Sequence, residues 1–277
     1  MLAYDNAEKL ISKYCFESPR ELNLVTLLYA EDLNLKEEPL SDCEGKILFD
    51  NSIGIITLNS SITDERQKRF TLAHEMGHFF NEALTKPLPK GEAVYKCGFE
   101  EFYGVNKSRK READANEFAA ELLMHKPWFQ KFTKNKPINF ELLKDTSDYF
   151  DVSLTAVALR YVFVGQYSTA LIMNKNGKVL WSAVNEYFPL KFIPTGYKVR
   201  KESAAYDFFS CLADRRDLTP GLSPYKGERG MMQTCYDLVP AYTWFSEDYN
   251  CPRDKYLYEQ NVAMYNYNCV LTLLWEK

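Results

Sequence analysis

Residues 74–78 read His74-Glu75-Met76-Gly77-His78, a His-Glu-x-x-His pattern. Residues four apart on a helix lie one turn above each other, so His74 and His78 share a face and can grip one metal ion. Glu75 follows the first histidine by one residue. It then stands beside such an ion rather than on it, where a general base for an attacking water belongs. The competing reading is a core helix whose two histidines are satisfied by hydrogen bonds. Against it, the chain holds 3 histidines in 277 residues, and two of them flank this glutamate. Two buried imidazoles beside a buried carboxylate are costly unless something binds them.

The elements that must position these residues can be read outward from them. Asp64 and Glu65 suit the positive end of a helix, Thr63 can cap it, and no proline occurs from there until Pro87. Apolar residues lie on every side between Phe70 and Phe80, so the helix is buried. Two β-rich runs, 46–50 and 53–59, precede it as a hairpin or adjacent strands, joined at 50–52, with Gly54 as a bulge. Residues Gly54 to Asn59 of the second run are a candidate edge for an extended peptide. Helices are expected over 2–14 and 21–33. After the metal-binding pattern comes a long Pro/Gly-punctuated loop, 85–107, whose aromatics include Tyr95, Phe99, Phe102 and Tyr103. These pin the loop to the core, with lining a substrate cleft as their second reading.

A helix over 109–124 follows, with Pro127 just past its end. Helices over 140–150 and 154–164, with Ser153 capping the second, resemble a helix-turn-helix. Arg160 is the one obvious phosphate-binding side chain on the second of them, which favours a packed hairpin over a DNA reader. Beyond Gly165 the chain turns β-rich. Lys175-Asn176-Gly177 marks a hairpin, 270–275 a closing strand, and 218–230 an irregular stretch. Residues 166–277 contain no histidine and so are a poor place for another metal site.

Catalytic zinc takes three protein ligands and leaves a position open. With two histidines used, His125 or a carboxylate remains, and a glutamate on a following helix is the common solution. The 109–124 helix offers Glu112, Asp114, Glu117 and Glu121. With Glu112 set at zero and about 100° per residue, Asn116 falls near 40° and Leu123 near 20°. The other three acids cluster between about 140° and 200°, on what reads as the solvated face. Glu112 alone shares the arc facing the core, with Asn116 one turn on to orient it. The competing reading is a first-turn glutamate that merely favours the helix N-terminus.

Phe70-Thr71-Leu72-Ala73-His74-Glu75-Met76-Gly77-His78, with Glu112-Ala113-Asp114-Ala115-Asn116-Glu117-Phe118-Ala119-Ala120-Glu121-Leu122-Leu123-Met124, resembles the ImmA/IrrE family of zinc metallopeptidases over roughly residues 20–165. The family usually has proline after Leu-Leu-Met. Here His125 stands there, with Pro127 two residues later. The resemblance implies Zn²⁺ held by His74, His78 and Glu112, and Glu75 as the catalytic glutamate. Tyr95, Tyr103 and His125 are open candidates for a second oxyanion donor. It implies a protein substrate, a DNA-binding helix-turn-helix repressor in a stress or mobile-element response. The expected architecture is α+β: a mostly helical zincin-like metallopeptidase domain with a short β-sheet, 1–165, including the helical pair at 140–164, and a β-rich C-terminal domain, 166–277, with a sensory or partner-binding role.

Composition bounds the alternatives. The formal net charge is −4, which speaks against non-specific nucleic-acid binding. The start of the chain has no basic, apolar leader and no apolar run has the length of a membrane span, so a cytoplasmic location is expected. Seven scattered cysteines form no C-x-x-C pair and fit reduced thiols. Two other function classes stand beside the peptidase: a metal-containing regulatory module that senses or sequesters a partner, and a DNA-binding regulator using the 140–164 pair. The metal reading predicts about one divalent ion per chain, most readily zinc. Elemental analysis of untagged protein checks it, and failure to take up added Zn²⁺ refutes it.

Overall fold

The computed structural model describes residues 2–49, 53–82, 93–97, 107–214, 231–233, 237–246, 251–264 and 268–276. The elements are α1 (Leu2–Lys13), α2 (Leu24–Ala30), β1 (Leu33–Glu38), β2 (Gly45–Phe49), β3 (Gly54–Asn59), α3 (Glu65–Glu82), β4 (Ala93–Cys97), α4 (Lys107–Leu123), α5 (Lys126–Thr133), α6 (Phe140–Phe150), α7 (Leu154–Val164), β5 (Thr169–Lys175), β6 (Lys178–Val184), α8 (Ala204–Asp214), β7 (Met231–Gln233), β8 (Asp237–Pro240), α9 (Tyr242–Phe245), β9 (Tyr256–Met264) and β10 (Cys269–Glu276). The fold is α+β, a largely helical N-terminal part followed by a β-rich C-terminal part. Two compact units result: Met1–Phe132 with Thr146–Ala156, and Thr133–Asp145 with Val157–Lys277.

In the first unit α1 buries Ala3, Ala7, Leu10 and Ile11, a stripe at helical spacing. The helix expected over 21–33 is shorter. It starts at Asn23, whose side chain accepts from Thr26 N at 3.0 Å, and it has ended by Asp32, a residue with φ 57. Leu33 is drawn into a strand instead, because β1 pairs in parallel with β3 and buries Leu33 completely. The sheet order is β1-β3-β2-β4. β3 is therefore flanked on both sides, by β1 and β2, so the edge expected at 54–59 does not exist. Gly54 forms no bulge. It pairs in regular register with Leu33 and Phe49, and a Cβ there would lie 2.5 Å from Leu33 Cδ2. β4 forms within the segment read as loop, and the rest of 85–106 lies outside the described residues, as does the turn at 50–52.

The cap of α3 is Asp64 rather than Thr63. Its Oδ1 accepts from Arg66 N at 2.8 Å and from Gln67 N at 3.1 Å. Pro127 does more than follow α4: it stands in the first turn of α5, where a missing N–H costs nothing. The turn between α6 and α7 closes through Ser147 Oγ donating to Val152 O at 2.6 Å, and Ser153 Oγ accepts from Ala156 N at 3.2 Å. Arg66 on α3 reaches that turn, at 2.7 Å from Asp148 Oδ1 and 2.9 Å from Ser147 Oγ. Arg160, the one candidate phosphate reader, is 8% exposed, which suits a packed helix and not a DNA-reading face.

In the second unit the strand order is β6-β5-β10-β9-β7, with β8 also on β9. Asn176 and Gly177 turn the β5–β6 hairpin with φ 52 and 74, the left-handed pair that a two-residue turn requires. One sheet face carries Ile172, Val270 and Leu274 against Phe188, Trp244 and Phe245. The stretch 218–230 lies outside the described residues. A polar line is buried within this unit. Thr272 Oγ1 lies 2.6 Å from Asn261 Oδ1 and 3.0 Å from Asn174 Nδ2, and Asn261 Nδ2 donates to Glu259 Oε1 at 2.7 Å. Glu259, fully buried, also accepts from Ser203 Oγ at 2.8 Å, Ala204 N at 3.1 Å and Trp244 Nε1 at 2.6 Å. Burial pushes its carboxyl upward, and these donors oppose that shift. Glu259→Ala strands these donors together, each at about 1–3 kcal/mol. The expected loss in urea unfolding of the full chain is about 3 kcal/mol or more.

Candidate metal centre

α3 and α4 pack side by side, and their facing residues build the site. Burying α3 on all sides places His74 and His78 at 5% and 1% exposure and Glu75 at none. Their rings meet edge to face, 4.8 Å between centroids. His74 Nε2 and His78 Nε2 are 3.1 Å apart. From α4, Glu112 brings Oε2 to 3.1 Å from His74 Nε2 and Oε1 to 3.5 Å from His78 Nε2. One ligand atom from each of the three residues lies within 4.8 Å of the others.

Asn116 was expected to orient Glu112, one turn back on its own helix. Its partner is instead His74: Asn116 Oδ1 lies 2.7 Å from His74 Nδ1. An amide oxygen can only accept, so Nδ1 carries a proton and Nε2 is the atom turned toward Glu112 and His78. Burial works against a charged His74. The Glu112 hydrogen bond, the charges of Glu75 and Glu112 and the Asn116 hydrogen bond outweigh it and hold its pKa above the ordinary value. Burial likewise disfavours ionised Glu112, but its contacts to His74 and His78 win and hold it well below the usual carboxylate range. Glu112 is thus held ionised beside a His74 that keeps its Nε2 proton, and a cation would take that proton's place between two imidazoles and a carboxylate, a donor set that suits a zinc-like ion.

The spacing fits such an ion. Two nitrogens each about 2.0–2.1 Å from a tetrahedral centre lie about 3.3 Å apart, and the observed separation is 3.1 Å. The approach of the helices depends on Gly77, which sequence reading left without a role. A Cβ there would meet the Ala115 Cα and carbonyl oxygen at 3.0 Å, with Phe118 Cδ1 at 3.1 Å. The signal was visible: a glycine inside a helix costs about 1 kcal/mol and needs a packing reason.

Of the candidate oxyanion donors, His125 alone has a described side chain. Tyr95 is placed by its backbone on β4, opposite Ile47. Tyr103 lies outside the described residues. His125 packs edge to face on Trp128 at 4.9 Å, and its Nε2 is 3.7 Å from Glu121 Oε1. Glu121 is itself nine residues along α4 from Glu112, about 13 Å at a helical rise, so His125 belongs to a separate cluster. Glu121 also departs from the solvated face assigned to it. It is fully buried and accepts from Lys126 N at 3.0 Å, which caps α5. Glu117 is exposed and Asp114 half-buried, as the helical arc predicts.

Residues 30–161 match the family model Peptidase_M78, described as the IrrE N-terminal-like domain. No curated protein matches the sequence. Among solved structures, a Mycobacterium tuberculosis transcriptional regulator shares the fold with a TM-score of 0.58 at 10% identity, covering 99% of this chain and 75% of that one. Loss of an outer partner of a metal ligand typically costs 10–100-fold in affinity. Asn116→Ala is accordingly expected to weaken zinc binding by about 10–100-fold and Glu112→Ala by more than about 100-fold. Glu117→Ala should leave it nearly unchanged. Competitive zinc titrations of the folded variants check this, and a tight site in Glu112→Ala excludes Glu112 as a ligand.

Proposed function

Residues 30–161 are an IrrE N-terminal-like domain of the Peptidase_M78 family, and from that premise we propose that the chain is a zinc-dependent endopeptidase. The observation that carries this reading is the convergence of buried His74, His78 and Glu112 beside buried Glu75. The three converging side chains hold the ion, and Asn116 keeps His74 in the tautomer that points Nε2 inward. Bound zinc supplies Lewis acidity, polarising the scissile carbonyl and acidifying the attacking water. Glu75 takes the proton of that water as it attacks and passes it to the leaving amine.

An extended substrate needs a strand edge. β4 pairs with β2 on one side and, among the described residues, with nothing on the other. In our reading β4 therefore takes the docking role first expected of 54–59. The substrate we propose is a helix-turn-helix transcriptional repressor. Residues 1–165 carry the chemistry, and 166–277 serve recognition or regulation. Among the described residues no helix is long and apolar enough to cross a membrane. A repressor substrate bound to DNA would place the protein in the cytoplasm.

Glu75→Gln is the deciding variant, because an amide cannot accept the proton. It should keep zinc and fold while losing cleavage by on the order of 10²-fold or more. Zinc-loaded wild type and variant are incubated with helix-turn-helix repressors from the same genome, and fragments are read by mass spectrometry. Cleavage by the variant at the wild-type rate refutes the role of Glu75. Full zinc occupancy with no cleavage by wild type favours a regulatory binding module instead.

A further inference from the structure

Gly45 opens β2, where it pairs with Leu58 of β3 and Cys97 of β4. Its backbone is not in the left-handed region, which among the described glycines holds only Gly177 and Gly196. Conformation does not require a glycine here, and a glycine in a strand is costly unless something approaches closely. What approaches is the side chain of Glu75. A Cβ at position 45 would lie 2.8 Å from Glu75 Oε1 and 3.1 Å from its Cγ, and 2.8 Å from Thr71 Cγ2. The two 2.8 Å separations are shorter than a Cβ tolerates, the 3.1 Å one is tight, and Glu75 has no exposed surface into which to swing.

The strand is also held from backing away. Glu44, the preceding residue, accepts from Gln67 Nε2 at 2.7 Å and from Thr71 Oγ1 at 3.4 Å. Its backbone carbonyl accepts from Asn59 N at 2.8 Å. Gln67, Thr71 and Glu75 are spaced by four on α3 and so form one stripe. Glu44 thus clamps the start of β2 onto the stripe that ends in Glu75.

We propose that Gly45 is the positioning residue of Glu75: its missing side chain is the space the carboxylate occupies beside the metal ligands, and the Glu44 clamp fixes the depth of that space. The proposal rests on the reading of Glu75 as proton acceptor. A side chain at 45 moves the carboxylate off the attacking water without touching a ligand. A displacement of about 1 Å at a reacting group can cost on the order of 10²-fold in rate.

The test is a cycle of four full-length proteins in a Thr71→Ser background, which removes the methyl that a new Cβ would also strike. They are Thr71→Ser alone, with Gly45→Ala, with Glu75→Ala, and with both. Each is read by the visible spectrum of its cobalt(II) form, by the urea midpoint of the metal-free form, and by zinc content. Adding Gly45→Ala should shift the cobalt band and lower the midpoint when Glu75 is present, at unchanged zinc stoichiometry. Both changes should vanish in the Glu75→Ala background, where the shorter side chain clears the Cβ. Cleavage of a quenched-fluorescent peptide library should fall on the order of 10²-fold, in kcat rather than KM. Equal effects with and without Glu75 overturn the proposal and leave Gly45 as strand packing. If the parent cleaves no peptide, the proteolytic reading fails, while the spectral and stability cycles still decide whether Gly45 seats Glu75.

Discussion

Four ionisable side chains, His74, Glu75, His78 and Glu112, share a space from which water is nearly excluded. That is the constraint the N-terminal unit is built around. A buried charge without a partner costs several kcal/mol, more than half of what a small domain has in reserve. Two elements from distant parts of the chain must therefore meet with their polar stripes aligned. α3 supplies three of the groups and α4 the fourth, together with the amide that holds one imidazole in place. Around this pair the remaining contacts act as bracing. Asn6 on α1 donates to Phe80 O at 3.0 Å, and Asn81 donates to Asp114 O at 3.2 Å, tying the far end of α3 to its neighbours. Phe80 stacks on Phe118 at 5.5 Å between centroids.

The helices were largely legible because periodicity and caps are local signals. The spacing of His74 and His78, the arc of Glu112 and the cap at Ser153 required nothing beyond the residues themselves. What escaped was set by partners far away in the chain. Leu33 became a strand residue because β3 was there to pair with it. β3 reads as an edge from the sequence because β1, its second neighbour, comes from a segment that reads as the end of a helix. Glu121 shares an angular position with solvated acids, yet the start of α5 draws it inside by offering a backbone N–H. Asn116 was seen to belong to the site, but a single helix could not show that its partner stands on another one.

The second unit handles a buried carboxylate differently. Glu259 is held by hydroxyl, indole, amide and backbone donors. The contrast with Glu112 is instructive. One carboxylate gathers neutral donors and serves architecture; the other meets two imidazole Nε2 atoms that converge on it. The same buried residue type carries opposite meanings, and the neighbours tell them apart.

Gly77 bears on any attempt to move this site into another scaffold. The three ligands and the proton acceptor occupy four positions on two helices, which makes the motif look portable. Yet the atom that would sit on Gly77 falls 3.0 Å from the α4 backbone itself, which cannot rotate out of the way as a side chain can. A recipient pair of helices at ordinary separation, about 8–10 Å between axes, would accept the histidines and the glutamate and still hold them too far apart. The transferable unit is thus an interhelical distance, with the ligands as its passengers.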